Sequence, residues 1–275
     1  MFDEDHRKEI EALGFLDATV SLGRPPVPFW GAWADRALIE AEMAKISVGQ
    51  AAVYHVMSKA YDANFGNDLL MEELVGSTNL IPTWALVPSE IAMDCAPLRF
   101  ADKLAQQGVK AVRMFPSSTS QPAVATRYAF YKWVYGEYLS VLQERGIIVF
   151  LEFSPHRRSE PEWDKIYAVA TEFPRLNIVL GDSFQRTTVS LVSLMRVCLN
   201  LHLLTTGLDI NRHLEYLVGQ LGAHRFLSGS KFPVNTMGTM VGQVSLSRLS
   251  WEQKKLVAGG NARRLMGIPE GEKAP

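Results

Sequence analysis

The sequence predicts a single (β/α)8 barrel, and three observations carry that prediction. Short apolar runs alternate with longer amphipathic segments along the whole chain, the pattern of strand–helix units around a parallel sheet. Eight such runs occur in 275 residues, the size of a closed barrel of that kind. Several, such as IIVFLEF and NIVL, are apolar without alternation, as strands covered on both faces require. The alternative is an open doubly wound sheet, but no GxGxxG follows the first run and no GxxxxGKS or GxxxxGKT occurs.

Taken in order, the runs place strands at 14–21, 52–58, 81–87, 111–116, 147–154, 177–183, 200–207 and 225–233. Helical periodicity fills the intervals at 34–48, 67–76, 90–107, 127–145, 162–173, 187–199 and 211–221, with a last helix at 250–259. That last helix opens on Ser250-Trp-Glu-Gln253, the spacing of a capping box in which each side chain bonds the other's backbone N–H. Gly76, Gly108, Gly146 and Gly222 stand where helices should stop, because glycine tolerates the positive φ of a helix end. SSTSQPAVAT at 117–126 falls where a loop follows the fourth strand, and no linker interrupts the pattern, so residues 1–275 read as one domain.

Composition narrows the function. With 28 Lys+Arg against 29 Asp+Glu, the net charge of −1 supplies no global field for nucleic acid or an anionic membrane. Cys95 and Cys198 lie far apart and lack neighbours at metal-binding spacing, which points away from disulfides and toward a reducing, cytoplasmic setting. The start MFDEDHRKEI is acidic where a signal peptide is basic and then apolar, and no run reaches the roughly 20 apolar residues of a membrane span. The expected partner is a small-molecule substrate, and apolar Met and Trp residues on the exterior are compatible with a homodimer.

Barrel chemistry sits at the carboxyl ends of the strands. There the sequence places Asp17 and Thr19, two apart on one strand face; His55; Arg113; Glu152 and Ser154; Asp182 and Ser183; Thr205 and Thr206; and Ser230 and Lys231. The segments AYDANFGNDLLMEELVG, GVKAVRMFP, GIIVFLEFS, FPRLNIVLGDS, RFLSGSKFPV and AGGNARRLMGI resemble the amidohydrolase-related branch of the metal-dependent hydrolases, from Phe15 to Ile268. The resemblance implies a metal-binding barrel with a His-x-His on strand one, a His on each of strands five and six, and an Asp within Gly-Ser-Asp-Tyr/Phe-Pro on strand eight. In this chain those positions read Asp17-Ala18-Thr19, Glu152, Asp182 and Gly229-Ser230-Lys231-Phe232-Pro233. Every one departs from the pattern.

The substitutions gather three carboxylates around one ammonium. A buried Lys must be paired or lose its proton, so Lys231 is expected to take the electrostatic place of the metal, held by Asp17, Glu152 and Asp182. Crowded carboxylates should push one pKa upward and create an acid/base pair. No cofactor is then expected, although an oxygen-ligand metal site built from Asp17, Glu152 and Asp182 is an alternative. Substrate binding is expected from Arg113, which could clamp a carboxylate, with Thr19, His55 and His156. Phe29 and Trp30 are candidate lid residues. The resulting expectation is a hydrolase-like enzyme that works without a transition metal on a small carboxylated substrate, through lactone, ester-like or activated C–C bond hydrolysis. In that scheme Asp182 or Glu152 activates water, while Lys231 and Arg113 stabilise the oxyanion. Two rivals stand beside it. One is an inactive barrel that binds a ligand or partner. The other, a Schiff-base Lys231, is disfavoured because nearby carboxylates raise a lysine pKa.

Overall fold

The computed structural model describes residues 4–25, 32–116, 128, 130–152, 162–181, 188–208 and 210–269. Its strands are β1 (Phe15–Leu22), β2 (Val48–His55), β3 (Leu80–Pro82), β4 (Trp84–Ala85), β5 (Ala111–Met114), β6 (Ile148–Glu152), β7 (Ile178–Gly181), β8 (Leu201–Leu204) and β9 (Phe226–Leu227). Each pairs in parallel with its neighbour, in the orders β1-β2-β3 and β4 through β9. Two seams join these sheets into a (β/α)8 barrel. At Thr83, between β3 and β4, the third barrel strand is interrupted, and the Thr83 N–H donates to Val53 O at 2.8 Å. At the other seam Ala18 N–H donates to Ser228 O, Lys231 N–H to Thr19 O and Ser21 N–H to Phe232 O, each at 2.9 Å.

The helices are α1 (Glu4–Leu13), α2 (Arg36–Lys45), α3 (Val56–Ala60), α4 (Ala63–Glu73), α5 (Glu90–Met93), α6 (Pro97–Gln106), α7 (Lys132–Glu144), α8 (Trp163–Glu172), α9 (Thr188–Val197), α10 (His213–Leu221), α11 (Met237–Ser245), α12 (Trp251–Lys255) and α13 (Asn261–Met266). Apolar side chains divide between two regions. Phe15, Val20, Leu22 and their neighbours fill the layer between sheet and helices. Leu16, Ala52, Ile81, Ala111, Ile148, Phe150, Val179 and Leu227 fill the barrel itself, closed below by Ala262, Leu265 and Met266. With the interior packed, only the upper end is left for a site.

Several elements depart from the sequence reading, and for three of them the reason is local. The expected helix 90–107 is two helices, because Asp94 turns left-handed at φ 49° and Pro97 starts α6 afresh. The helix expected at 250–259 has its capping box at Ser250 and Gln253, then widens into a π-helical turn at Leu256–Gly260. There Gly259 lies so near β1 that a Cβ would come within 2.4 Å of Gly14 O. Strand two begins at Val48 rather than 52, since Gly49 and Gln50 break the apolar run without breaking the pairing with β1. The four glycines expected at helix ends all have positive φ.

Candidate active site at the barrel mouth

The centre of the mouth is occupied by Arg113, near the end of β5 and fully buried. Its Nη1 donates to Glu152 Oε1 at 2.5 Å and to Thr19 Oγ1 at 3.3 Å. Its Nη2 donates to Ala18 O at 2.6 Å, and its Nε to Thr83 Oγ1 at 2.8 Å. The guanidinium also stacks against Phe150 and Tyr54, 4.4 and 5.0 Å from the ring centroids. Four oxygens and two ring faces thus satisfy a charge that would otherwise be costly to bury. The break at Thr83 supplies one of those oxygens, which ties the seam to the site.

Glu152 ends β6 opposite Gly181 of β7, where a Cβ would lie 2.8 Å from Glu152 Cγ. The glycine makes room for the carboxylate. Burial pushes the Glu152 pKa up, but Arg113, Lys59 and Lys231 outweigh it and hold it below the ordinary carboxylate value. Lys231, at φ 65°, follows Ser230 in the turn that closes the barrel on β1. Lys59 rises from α3 after β2 and lies 4.8 Å from the Phe115 ring. Phe115 in turn packs on Tyr54, with ring centroids 5.5 Å apart.

Asp17 departs from its expected role. The pairing of β1 with β2 shifts register between Asp17 and Val20, so Asp17 and Thr19 are not equivalent positions on one regular face. Thr19 presents its hydroxyl to Arg113. Asp17, fully buried, accepts from Ser230 Oγ, from Ser230 N–H at 2.9 Å and from Thr19 N–H at 3.1 Å. Ser230, rather than its neighbour Lys231, holds this carboxylate. Burial raises the Asp17 pKa to about 6 against those hydrogen bonds and Arg113. One carboxylate is therefore raised and the other lowered, and burial is the largest cause of the rise.

Two substrate-binding expectations are corrected. Arg113 has no exposed surface and is spent on internal partners, so it holds the mouth together instead of clamping a substrate carboxylate. With Tyr54 turned onto Arg113, strand alternation sends His55 to the helix side. There its Nδ1 accepts from Met57 N–H at 3.2 Å, capping α3, while its Nε2 lies 3.4 Å from Glu73 and against Gly23. Burial lowers the His55 pKa against the pull of Glu73. Thr19 lies at the mouth but is 4% exposed, its hydroxyl turned to Arg113. Asp182, His156, Ser154, Ser183, Phe29 and Trp30 lie outside the described residues. Sequence reading missed Lys59, whose signal was its place in the segment after strand two, four residues beyond His55.

The family model described as Amidohydrolase matches residues 31–268. The chain belongs to the amidohydrolase family. No curated protein matches it significantly. Among solved structures, it is similar to 5-carboxyvanillate decarboxylase from Sphingomonas paucimobilis, with 15% identity, 94% of this chain and 100% of that chain covered, and a TM-score of 0.69. The 2,6-dihydroxybenzoate decarboxylase from Rhizobium gives 15% identity, coverage of 93% and 99%, and a TM-score of 0.69. A dihydroxybenzoic acid decarboxylase from Polaromonas, solved with bound manganese and the inhibitor 2-nitroresorcinol, gives 14% identity, coverage of 93% and 97%, and a TM-score of 0.69.

The manganese of that last structure corrects the expectation that no cofactor takes part, and the expectation is withdrawn. Among the described residues, no group of three or more His, Cys, Asp or Glu side chains is placed to hold a metal ion. Asp17 is bonded to Ser230, and Glu152 is taken by a guanidinium at 2.5 Å. These donors alone do not fit a divalent cation, and nothing below routes a step through one. Among the described residues no helix is long and apolar enough to cross a membrane.

Proposed function

We propose that this amidohydrolase-family protein is a small-molecule enzyme that binds a planar, carboxylated substrate at the barrel mouth and breaks the bond to its carboxyl carbon. The observation that carries the reading is the charge arrangement at Glu152, on which three cations, Arg113, Lys59 and Lys231, all act. Cations gathered at the mouth suit a bound carboxylate and a transition state in which negative charge develops on the substrate. The Tyr54 and Phe115 rings beside Lys59 suit a flat, electron-rich molecule. Similarity to decarboxylases of carboxylated aromatic acids supports the same substrate class.

The pKa pattern favours C–C cleavage over hydrolysis. Activation of water needs an accessible base near neutrality; Glu152, held ionised by its cations, is a weak one, and Asp17, though raised to about 6, is fully buried and bound to Ser230. Loss of a carboxylate as carbon dioxide needs no such base. A proton is delivered to the carbon that bears the carboxylate, the C–C bond then breaks, carbon dioxide leaves, and the electron pair of that bond restores the substrate π-system. The Lys59 and Lys231 ammonium groups would hold the substrate's negative charge, and either is chemically able to supply the proton. Arg113 keeps Glu152 in place.

The test is a panel of hydroxybenzoates, 1,3-dicarbonyl acids and enol lactones, assayed for carbon dioxide and for ring opening, each with and without added Mn²⁺. Carbon dioxide release from an aromatic or 1,3-dicarbonyl acid is expected. Lys59→Met and Lys231→Met should each lower kcat/KM by about a hundredfold, close to 3 kcal/mol of transition-state stabilisation. Turnover that neither substitution alters would overturn the reading. Full engagement of Arg113 favours a second reading, a barrel that binds a ligand without turning it over. Stoichiometric binding of an aromatic acid with no product under any condition would establish it.

A further inference from the structure

Lys231 holds a backbone conformation that an L-residue rarely keeps. At φ 65° it lies in the left-handed region, which residues other than glycine occupy where the surroundings over-determine them. Here they do. Lys231 N–H donates to Thr19 O at 2.9 Å, and Lys231 O accepts from Val234 N–H at 3.0 Å and Asn235 N–H at 3.3 Å. On one flank Gly229 O accepts from Thr206 Oγ1 at 2.9 Å, and a Cβ at Gly229 would lie 2.8 Å from Thr19 Cγ2. On the other flank Phe232 O accepts from Ser21 N–H at 2.9 Å. Ser230 bridges across Lys231: its Oγ accepts from Phe232 N–H at 2.9 Å and donates to Asp17 Oδ2. Asp17 Oδ1 takes the Ser230 N–H at 2.9 Å and the Thr19 N–H at 3.1 Å. Asp17 and Ser230 are both buried, so bulk water does not compete for these bonds.

We infer that Asp17 and Ser230 are positioning residues: through the Ser230 hydroxyl they lock the 229–232 turn with Lys231 left-handed, and so aim its ammonium at the carboxylate of a substrate in the mouth. The inference rests on the reading of the mouth as the site of a carboxylated substrate. The hydrogen bonds of the lock run one way. Phe232 N–H fills an acceptor position of Ser230 Oγ, and the hydroxyl proton goes on to Asp17 Oδ2. A hydroxyl can join the two because it accepts and donates at once, and a carboxylate can end the chain because it accepts only. Neighbouring residues thereby divide the work: the Ser230 side chain is committed to Asp17, while the Lys231 charge reaches Glu152. With the lock removed, residue 231 relaxes toward negative φ, which swings its Cα–Cβ bond and carries the long side chain away from Glu152. Asp17, with no exposed surface, touches no substrate and acts through Lys231.

Competitive labelling of the full chain's lysines with acetic anhydride, read by mass spectrometry, tests the geometry without any substrate. An amine beside a buried carboxylate is labelled slowly, because the carboxylate favours its charged form. Ser230→Ala and Asp17→Asn should each raise labelling of Lys231 about tenfold, toward that of exposed Lys8, while Lys59 changes by less than about twofold. Lys59, on α3, reports whether the mouth as a whole has loosened. Ser230→Ala keeps both N–H bonds to Asp17, so it stays informative if Asp17→Asn does not fold. A kinetic cycle on any substrate turned over separates positioning from general structure. Ser230→Ala should lower kcat/KM about tenfold, yet Ser230→Ala with Lys231→Met should be no slower than Lys231→Met alone, since a residue that acts through another has nothing left to act on. Lys231 labelling that is unchanged in both variants, or that rises together with Lys59, would overturn the inference, as would equal losses from Ser230→Ala with and without Lys231. Labelling that shifts as expected in a protein that turns over no substrate would establish the lock and count against the proposed function.

Discussion

Replacing Arg113 with Met strands Glu152 as a buried charge without its closest partner, so the cost belongs to the pair and not to one contact. Removing one member of such a pair costs about 3–5 kcal/mol, whereas replacing both by apolar groups returns much of it. Arg113→Met should therefore lower the denaturation midpoint sharply, and Arg113→Met with Glu152→Leu should recover most of the loss. An additive double variant would refute the pairing. Asp17 yields a pH effect of definite sign. Its folded pKa of about 6 lies above the ordinary carboxylate value of 3.8, so the folded state keeps a proton that the unfolded chain releases. The stability tied to that proton is complete below pH 4 and is lost as pH rises to 6, on the order of 3 kcal/mol if the whole shift is expressed. Glu152, shifted the other way, loses its contribution as pH falls. Asp17→Asn should flatten the slope between pH 4 and 6 in urea titrations at a series of pH values. An unchanged slope would show that Asp17 is not its source. At this scale the sequence revealed residue types but not their partners. It placed Asp17, Arg113, Glu152 and Lys231 at strand ends, yet a register shift inside β1 handed Asp17 to Ser230, and no periodicity announces such a shift.

Among the elements, α3 and α4 show how closely the helical layer fits. A Cβ on Gly66 of α4 would lie 2.0 Å from the Ser58 backbone nitrogen of α3, and backbone cannot swing aside as a long side chain can. Gly66→Ala should cost about 1–3 kcal/mol through overpacking, despite alanine's better helix propensity. A thermal midpoint equal to or above the wild type would contradict the close approach. Because α3 carries Lys59 and is capped by His55, the same variant should also disturb the mouth. The eight strand positions were legible because apolar runs bounded by turns are long-range signals. The split of the third strand at Thr83 was not foreseen, although Pro82, which has no N–H to give to a ladder, stands immediately before it. Helices α1 and α11 went unread for opposite reasons. The first is polar, with Ile10 and Leu13 its buried residues, and the second lies in a stretch whose glycines and threonines resemble a loop.

For the whole molecule, the packed interior and the single open end explain why fold and family could be read from one sequence while the reaction could not. Core positions repeat an apolar pattern along the chain; the mouth is written by single residues at strand ends and in the segments that follow them. The seam between β1 and the turn after β9 bears on how the chain comes to exist at all. Ser21 and Phe232, joined there, are separated by 211 positions. Synthesised from its amino end, the polypeptide exposes the outer edge of β1 for nearly the entire passage through the ribosome, and an unsatisfied strand edge is a template for pairing with other chains. Loop closure over that span must precede the reward of the contact, which makes ring closure a late and slow event in folding. The turn at Gly229–Pro233 is thus both a wall of the site and the clasp that ends the nascent chain's most vulnerable interval.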